Sequence, residues 1–313
     1  MVRAATIDRP REAEPPAEQR SLWRDAFRRF LRNRVAAVSL LVVLSLAVAA
    51  VLAGQIAPHN PNAQDCATGA LRGSSADHLL GTDATCRDVL SRLIHGARVS
   101  LSVGVLTAVA VLLIAVPIGA MAALSTRLVD NLLMRFTDLT YAFPDLLMII
   151  LLSRVLADTA VPGGSLTVII LAISLVGWVT IARLVRAQML SQREREYVQA
   201  AEAMGASRWR IAVTHLLPNS LGPVIVAVTF VVPQAIFAEA ALSFIGIGVT
   251  PPQATWGGMV DAGYAAIYSV PMLVVYPAVA IAITMMAFTF IGDGLRDALD
   301  PRTARRLPRP GAG

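Results

Sequence analysis

Six apolar runs, each long enough to cross a lipid bilayer, constrain the fold of this chain of 313 residues more than any other feature. The runs lack the alternation of apolar and polar residues that barrel strands show, so helices remain as the way to satisfy their backbone hydrogen bonds in lipid. The sequence therefore predicts an all-α integral membrane protein. Since a spanning helix takes roughly 20 residues, six transmembrane helices are expected at about 35–57, 99–124, 132–156, 166–188, 219–247 and 270–292.

Basic residues are distributed unequally over the segments between these runs. All 27 are Arg, and they concentrate before the first run, after the second, after the fourth and at the C-terminal end. Cytoplasmic segments of membrane proteins are rich in Arg and Lys, which predicts that both termini are cytoplasmic. The net charge of +6 needs no nucleic acid to explain it, because Arg-rich segments are expected beside anionic lipid.

The chain divides into five predicted regions. Its beginning is rich in Pro, Glu and Arg, which is typical of disorder. Trp23, Phe27, Phe30 and Leu31 then share one helical face opposite several Arg residues, which predicts a helix lying on the membrane surface. The regions are 1–20, disordered and cytoplasmic; 21–34, an interfacial amphipathic helix; 35–98, the first transmembrane helix and an extracytoplasmic loop; 99–295, five further transmembrane helices; and 296–313, a cytoplasmic tail.

Both cysteines, Cys66 and Cys86, fall in the first outer loop. An oxidising compartment would let them pair, and a disulfide closing a loop of this size stabilises a fold by about 3 kcal/mol on the chain-entropy model. Two unpaired thiols are the alternative.

The sequence carries no signature of catalysis. The chain has no Lys and therefore cannot hold an ordinary Walker A motif, whose Lys contacts the phosphates of ATP. Its four His residues show no metal-ligand spacing, and neither an HExxH nor a GxSxG motif occurs. We expect no enzyme activity and no bound cofactor or metal; if ATP drives the protein, another chain binds ATP and Mg.

A polar segment, residues 195–218, separates the fourth and fifth apolar runs. Its first half predicts an amphipathic helix with an apolar stripe at Tyr197, Ala200, Ala201 and Met204. Gly205 suits the left-handed residue that ends a helix, and Ser207 can cap a second one. Small residues keep this surface thin, and Arg208 and Arg210 offer charge-assisted contacts to a soluble partner. An ordinary loop lying on lipid is the alternative.

The same segment resembles the EAA loop of ABC importer permeases. The positions that match the consensus are Gln199, Ala200 and Ala201 at the EAA triplet, Gly205 at the glycine, and Leu217 with Pro218 at the closing pair. Gln199 replaces the usual Glu, which removes a carboxylate but leaves an amide that can form hydrogen bonds. His215 stands where the consensus has an apolar residue.

Four further stretches are similar to the C-type permease subunit of dipeptide and oligopeptide ABC importers, with nickel importers as close relatives. They are HLLGTDATCRDVLSRLIHGARVSL from His78, MRFTDLTYAFPDLL from Met134, EAALSFIGIGVTPPQATWGGM from Glu239 and GDGLRDALDPR from Gly292. Cys86 stands where this family usually has Gly, which fits a loop adapted to a link with Cys66.

The resemblance implies a type I ABC importer permease fold in the bacterial inner membrane, forming half of a translocation path for peptides. The implied partners are a homologous B-type permease, two cytoplasmic ATP-binding subunits or one fused subunit, and an extracytoplasmic substrate-binding protein. The residues expected to couple to the ATPase are Gln199, Ala200, Ala201, Met204, Gly205, Arg208, Arg210, Leu217 and Pro218. Pro223 and Pro233 should interrupt the fifth helix, so they and Glu239 are the expected residues of the path.

Two other classes of transport protein share part of this predicted architecture. An importer of nickel or another small solute would share the architecture, whereas a channel or carrier independent of ATP would work without the ATPase subunits. The outer loops 58–97 and 250–269 are expected to meet the binding protein. Trp256, Tyr264 and Tyr268 add aromatic area to the second loop, either for that contact or as an interfacial belt.

Overall fold

The computed structural model describes residues 22–67, 69–159 and 161–300, which are largely helical. The predicted disorder of 1–20 and the end of the predicted tail, 301–313, lie outside the described residues. The helices are α1 Leu22–Arg32, α2 Arg34–Val51, α3 Ala53–Ile56, α4 Val89–Leu124, α5 Arg127–Tyr141, α6 Asp145–Ala157, α7 Gly164–Arg193, α8 Glu196–Ala203, α9 Arg208–Ile211, α10 Leu217–Phe244, α11 Trp256–Tyr264 and α12 Met272–Leu299; a π-helical turn spans Ala212–Leu216.

The third predicted transmembrane helix is broken. Within the described residues, five helices are long and apolar enough to cross a membrane, and α5 with α6 makes a sixth span if this pair, bent by 94°, is counted as one. The bend falls at Pro144, which caps α6. Proline disfavours helical backbone at the residue before it and has no N–H to donate, which favours a break at this point in the helix predicted over 132–156.

Helix α4 begins at Val89 rather than at residue 99. Asp88 caps it, because its side chain accepts a hydrogen bond from the backbone N of Ser91. The 36 residues of α4 make a helix about 54 Å long, against a hydrocarbon core of about 30 Å. Residues 89–98, assigned to the outer loop from sequence, are therefore the outer turns of a spanning helix.

Helices α4, α7 and α10 pack at the centre of the molecule. A Cβ added to Gly119 would lie 2.4 Å from the carbonyl oxygen of Ala182, and one added to Gly104 would lie 2.8 Å from Cγ1 of Val232. Small residues of this kind let membrane helices approach closely. The interface is filled by buried residues that include Val111, Val179, Val185 and Ile236.

The predicted interfacial helix is partly a packed element. It ends at Arg32, and the side chain of Asn33 accepts hydrogen bonds from the first backbone N–H groups of α2. Phe30 is buried and packs near Ala298 at the end of α12, whereas Phe27 is 59% exposed. One side of α1 therefore belongs to the core of the bundle.

Candidate functional site

Residues 195–218, hereafter the coupling segment, form the predicted helix, turn and helix. Gly205 ends α8 with a φ of 82°, and its N–H donates to the carbonyl of Glu202 at 2.9 Å. This left-handed backbone strongly favours glycine. The Oγ of Ser207 accepts from the N–H of Arg210 at 3.4 Å, which caps α9 as predicted.

Of the apolar stripe predicted for α8, only Ala201 is buried. Val198 and Ala201 face the core, whereas Tyr197 is 41% and Met204 83% exposed. Ala200 is exposed as well. Apolar residues occur on both sides of this short helix, so their spacing alone could not identify the inward side. Of the residues expected to couple to the ATPase, Ala200 and Met204 are therefore exposed, whereas the side chain of Ala201 is buried.

The second half of the segment adds a residue that sequence reasoning missed. Ile211 and Leu216 are buried, but Trp209 is 73% exposed between Arg208 and Arg210. A large aromatic residue flanked by two Arg was the available signal. Of the other predicted coupling residues, Gln199 and Pro218 are exposed and Leu217 is half-buried. We call Tyr197, Met204, Trp209 and Val213, the large exposed apolar residues here, the coupling surface.

The coupling segment continues into the membrane without a break. The π-helical turn joins α9 to α10, so that residues Arg208–Phe244 form one helical span. Pro223 and Pro233 lie inside α10 and do not interrupt it, contrary to the prediction. Each proline removes one hydrogen bond of the helix, a cost that neighbouring membrane helices can offset.

The three residues predicted to line a path do not share a face. Pro223 is exposed and Pro233 is buried. Glu239 is fully buried, accepts a hydrogen bond from Ser243 at 2.7 Å and lies 3.5 Å from the Oγ of Ser100. That Oγ also accepts from the backbone N of Trp256. Glu239 thus ties α10 to α4 and α11 inside the subunit. Neither Glu239 nor Pro233 is exposed in this arrangement, and a role of these residues in the path stays a prediction.

Two ion pairs join α5 to the C-terminal half of α7, the helix that precedes the coupling segment. The Nε of Arg186 donates to Asp130 at 2.5 Å. Arg183 pairs with Asp138 and also donates to the Oγ of Thr137 at 2.9 Å. An acidic residue within an apolar run is costly to desolvate and therefore needs such a partner. The two bridges join α5, the first half of the bent pair, to α7.

The first outer loop is cross-linked at several points. Cys66 and Cys86 form a disulfide with their Cα atoms 5.1 Å apart. Asp83 accepts hydrogen bonds from the backbone N and the Nε of Arg87 and from the Oγ of Thr85, at 2.8–2.9 Å. Burial raises the pKa of Asp83, but the hydrogen bonds from Arg87 and Thr85 outweigh it and leave the pKa below its usual value.

The second outer loop buries one of its predicted aromatic contacts. Trp256 is 1% exposed, and its Nε1 donates to the carbonyl of Leu93 on α4 at 3.0 Å. It therefore anchors α11 to the bundle and offers no surface. Tyr264 is 56% exposed, and Tyr268 projects fully from the chain.

Comparison with known proteins adds to this geometry. Residues 115–305 match the family of binding-protein-dependent transport system inner membrane components, and residues 21–71 match the N-terminal transmembrane domain of oligopeptide transport permease C. The chain is 40% identical to the oligopeptide transport system permease protein OppC of Bacillus subtilis over 282 residues, 90% of each chain. It is 42% identical to the dipeptide transport system permease protein DppC of that organism, over 91% of this chain and 87% of the relative.

A solved structure shares the fold at lower sequence identity. A chain of the MetNI methionine ABC transporter in an inward-facing conformation superimposes with a TM-score of 0.54 and 19% identity. The match covers 67% of this chain and 96% of the other. The helical bundle is therefore a type I importer permease fold. Together with the matched family and the similarity to OppC and DppC over nearly the whole chain, this shows that the protein is a multi-pass inner-membrane permease of the binding-protein-dependent transport system family.

Proposed function

We propose that this chain is the C-type permease subunit of an ATP-driven importer of dipeptides or oligopeptides. It would form half of the translocation path beside a homologous B-type permease and receive its substrate from an extracytoplasmic binding protein. Two cytoplasmic subunits would bind Mg and ATP, because this chain has no Lys for a Walker A motif.

The main support for the proposal is that the coupling surface is exposed and lies at the start of an unbroken spanning helix. Met204 and Trp209 are 83% and 73% exposed, and two Arg residues flank the Trp. Large exposed apolar side chains rimmed by polar groups mark protein interaction sites, and Trp and Arg are enriched where partner proteins bind most strongly. Because α10 continues from this surface, a partner that holds it differently with and without ATP would shift the span between two positions.

Peptides are the favoured substrate class because the relatives that match over about nine-tenths of this chain are named for oligopeptides and dipeptides. Nickel or another small solute stays the alternative. Uptake of labelled dipeptides, tripeptides and nickel by the host cells, with and without a deletion of the gene for this chain, separates the substrate classes. Loss of peptide uptake alone supports the proposal, and loss of nickel uptake alone overturns the peptide assignment.

Gly205→Val tests the coupling role. A Cβ at this position would meet no atom within 4 Å, so the substitution acts through the φ of 82° and not through crowding. A β-branched residue is strained in this region, so the turn should change shape. In proteoliposomes with the partner subunits, we expect ATP hydrolysis to continue while peptide uptake falls at least about tenfold, which corresponds to roughly 1.4 kcal/mol of lost coupling.

The matched control is Gly54→Val in α3. Gly54 also has open space around its missing Cβ but has no positive φ, so uptake by this variant should stay near the wild-type rate. Both variants must reach the membrane in equal amounts. Full peptide uptake by Gly205→Val would contradict the coupling role.

A further inference from the structure

Two histidines and an aspartate converge where the first outer loop meets α4. The Nδ1 of His78 lies 2.9 Å and the Nδ1 of His59 3.9 Å from Oδ1 of Asp88. One ligand atom from each of the three residues lies within 4.8 Å of the others. The three come from separate parts of the loop, so their meeting is a product of the fold.

Backbone contacts fix each of these residues independently. The N–H of His59 donates to the Oγ of Ser91 at 3.0 Å. The carbonyl of His78 accepts from the N–H groups of Ser75 and Gly81, at 2.8 and 2.9 Å. This arrangement holds both imidazoles beside the start of α4 without using either ring.

Asp88 keeps one oxygen for the histidines. Its Oδ2 accepts from the backbone N of Ser91 at 2.7 Å, which caps α4, and its Oδ1 faces His78 and His59. The side chain of Asp88 is 1% exposed and that of His78 7%, whereas that of His59 is 40% exposed. The group is thus enclosed on two sides and open to the outer solution at His59.

We propose that His59, His78 and Asp88 bind a divalent transition-metal ion such as Zn²⁺, which fastens the outer loop to the start of α4. Imidazole nitrogen with one carboxylate oxygen is a donor set that suits Zn²⁺, whereas Ca²⁺ and Mg²⁺ prefer oxygen alone. Tetrahedral bonds of about 2.0–2.1 Å place neighbouring ligand atoms about 3.3 Å apart, and the distances of 2.9 and 3.9 Å to Asp88 lie on either side of that value. The ligand atoms of the two histidines lie within 4.8 Å of each other, so the exposed His59 would move inward on binding.

Binding would replace the His78–Asp88 hydrogen bond by two metal bonds. The Nδ1 of His78 would bind the metal through its lone pair, and the proton of the neutral imidazole would then reside on Nε2. Three protein ligands leave a fourth position for water on the side of His59. This site could not be predicted from the sequence, because the three ligands stand at intervals that match no metal-binding motif.

Metal binding by the purified full-length chain tests the proposal. The protein is kept in detergent with its disulfide intact, its affinity tag removed and adventitious metal stripped by a chelator. Co²⁺ serves as the spectroscopic probe, and Zn²⁺ affinity is measured by competition with a coloured chelator. We expect one ion per chain, the visible absorption of four-coordinate Co²⁺, and slower cleavage of the outer loop by protease when Zn²⁺ is added.

His59→Ala is the decisive variant, since its exposed side chain can be removed without opening the core. We expect its Zn²⁺ affinity to fall at least about tenfold and Zn²⁺ to lose its protection against protease. His95→Ala is the control, because the Nδ1 of His95 bonds the carbonyl of Ser91 outside the cluster. Equal Zn²⁺ affinity of His59→Ala and the wild type, no stoichiometric binding, or the weak spectrum of six-coordinate Co²⁺ would each overturn the site. None of these outcomes depends on which solute the protein transports.

Discussion

The first outer loop and the coupling segment are both polar connections between spanning helices, yet they are stabilised in opposite ways. The outer loop holds itself together through the Cys66–Cys86 disulfide and the hydrogen bonds to Asp83. The coupling segment has one capped turn and a buried underside, and it leaves Met204 and Trp209 mostly exposed. The comparison contrasts a loop that keeps its shape through its own cross-links with a segment whose large exposed side chains suit the proposed contact with another protein.

Removing the disulfide is expected to have the largest effect on the difference in stability between the outer loop and the coupling segment. Cys66→Ser should destabilise the loop by about 3 kcal/mol, seen as faster protease cleavage between α3 and α4. The double variant Cys66→Ser/Cys86→Ser should cost no more than the single one, because both remove the same bond. Peptide-dependent ATP hydrolysis should persist if the coupling segment is independent of the loop. A matching loss of coupling would break the comparison.

Trp209→Ala should act on the other region alone. Truncating an aromatic residue that a partner covers costs about 2 kcal/mol of binding, or about thirtyfold in Kd. We expect this weakening towards the ATPase subunits, measured by binding of the purified subunits in detergent, with unchanged thermal stability of the free chain. Tyr268→Ala, another exposed aromatic residue but in the second outer loop, is the control. Unaltered ATPase binding by Trp209→Ala would remove this residue from the interface.

Low pH should destabilise the outer loop by protonating Asp83, and this effect should be smaller than that of removing the disulfide. Burial raises the pKa of Asp83, but its hydrogen bonds lower it further, so the pKa in the folded loop lies below 3.8. The ionised carboxylate therefore stabilises the loop above pH 3.8, and this stabilisation is lost as the pH falls through the pKa of the folded state. Cleavage of the loop by pepsin should therefore accelerate as the pH falls below 3.8. Asp83→Asn should be cleaved faster near pH 4 and show a shallower dependence. If the cleavage rates of Asp83→Asn and of the wild type changed with pH in the same way, Asp83 would be excluded as a group that stabilises the loop.

The sequence predicted elements whose cause is local and missed those that depend on distant partners. Apolar runs identified the spanning helices, and Gly205 and Ser207 identified the turn and cap between α8 and α9. The bend at Pro144 had a local signal in the proline, but it lies within a run that hydropathy reads as continuous. Helix α4 extends to Val89 because Asp88 caps it, which a hydropathy boundary cannot detect in polar surroundings.

Long-range contacts account for the remaining differences. The burial of Glu239 depends on Ser100, which is 139 positions away in sequence, and Trp256 is covered because it bonds to Leu93 on α4. Neither of these contacts produces a periodic pattern in the sequence from which it could have been predicted. The inward side of α8 was likewise decided by what lies beneath Val198 and Ala201, since both sides of that helix are apolar enough to be buried.

The unbroken helix from Arg208 to Phe244 has a mechanical consequence. Its 37 residues extend about 56 Å at the rise of an α-helix. A tilt of about 5° applied at its inner tip would therefore displace the far end by about 5 Å, roughly one helical turn. The outer end of this rod holds Glu239 and, through Ser100, the backbone of Trp256. A modest swing on one side of the bilayer would thus be amplified into rearrangement of α11 on the other.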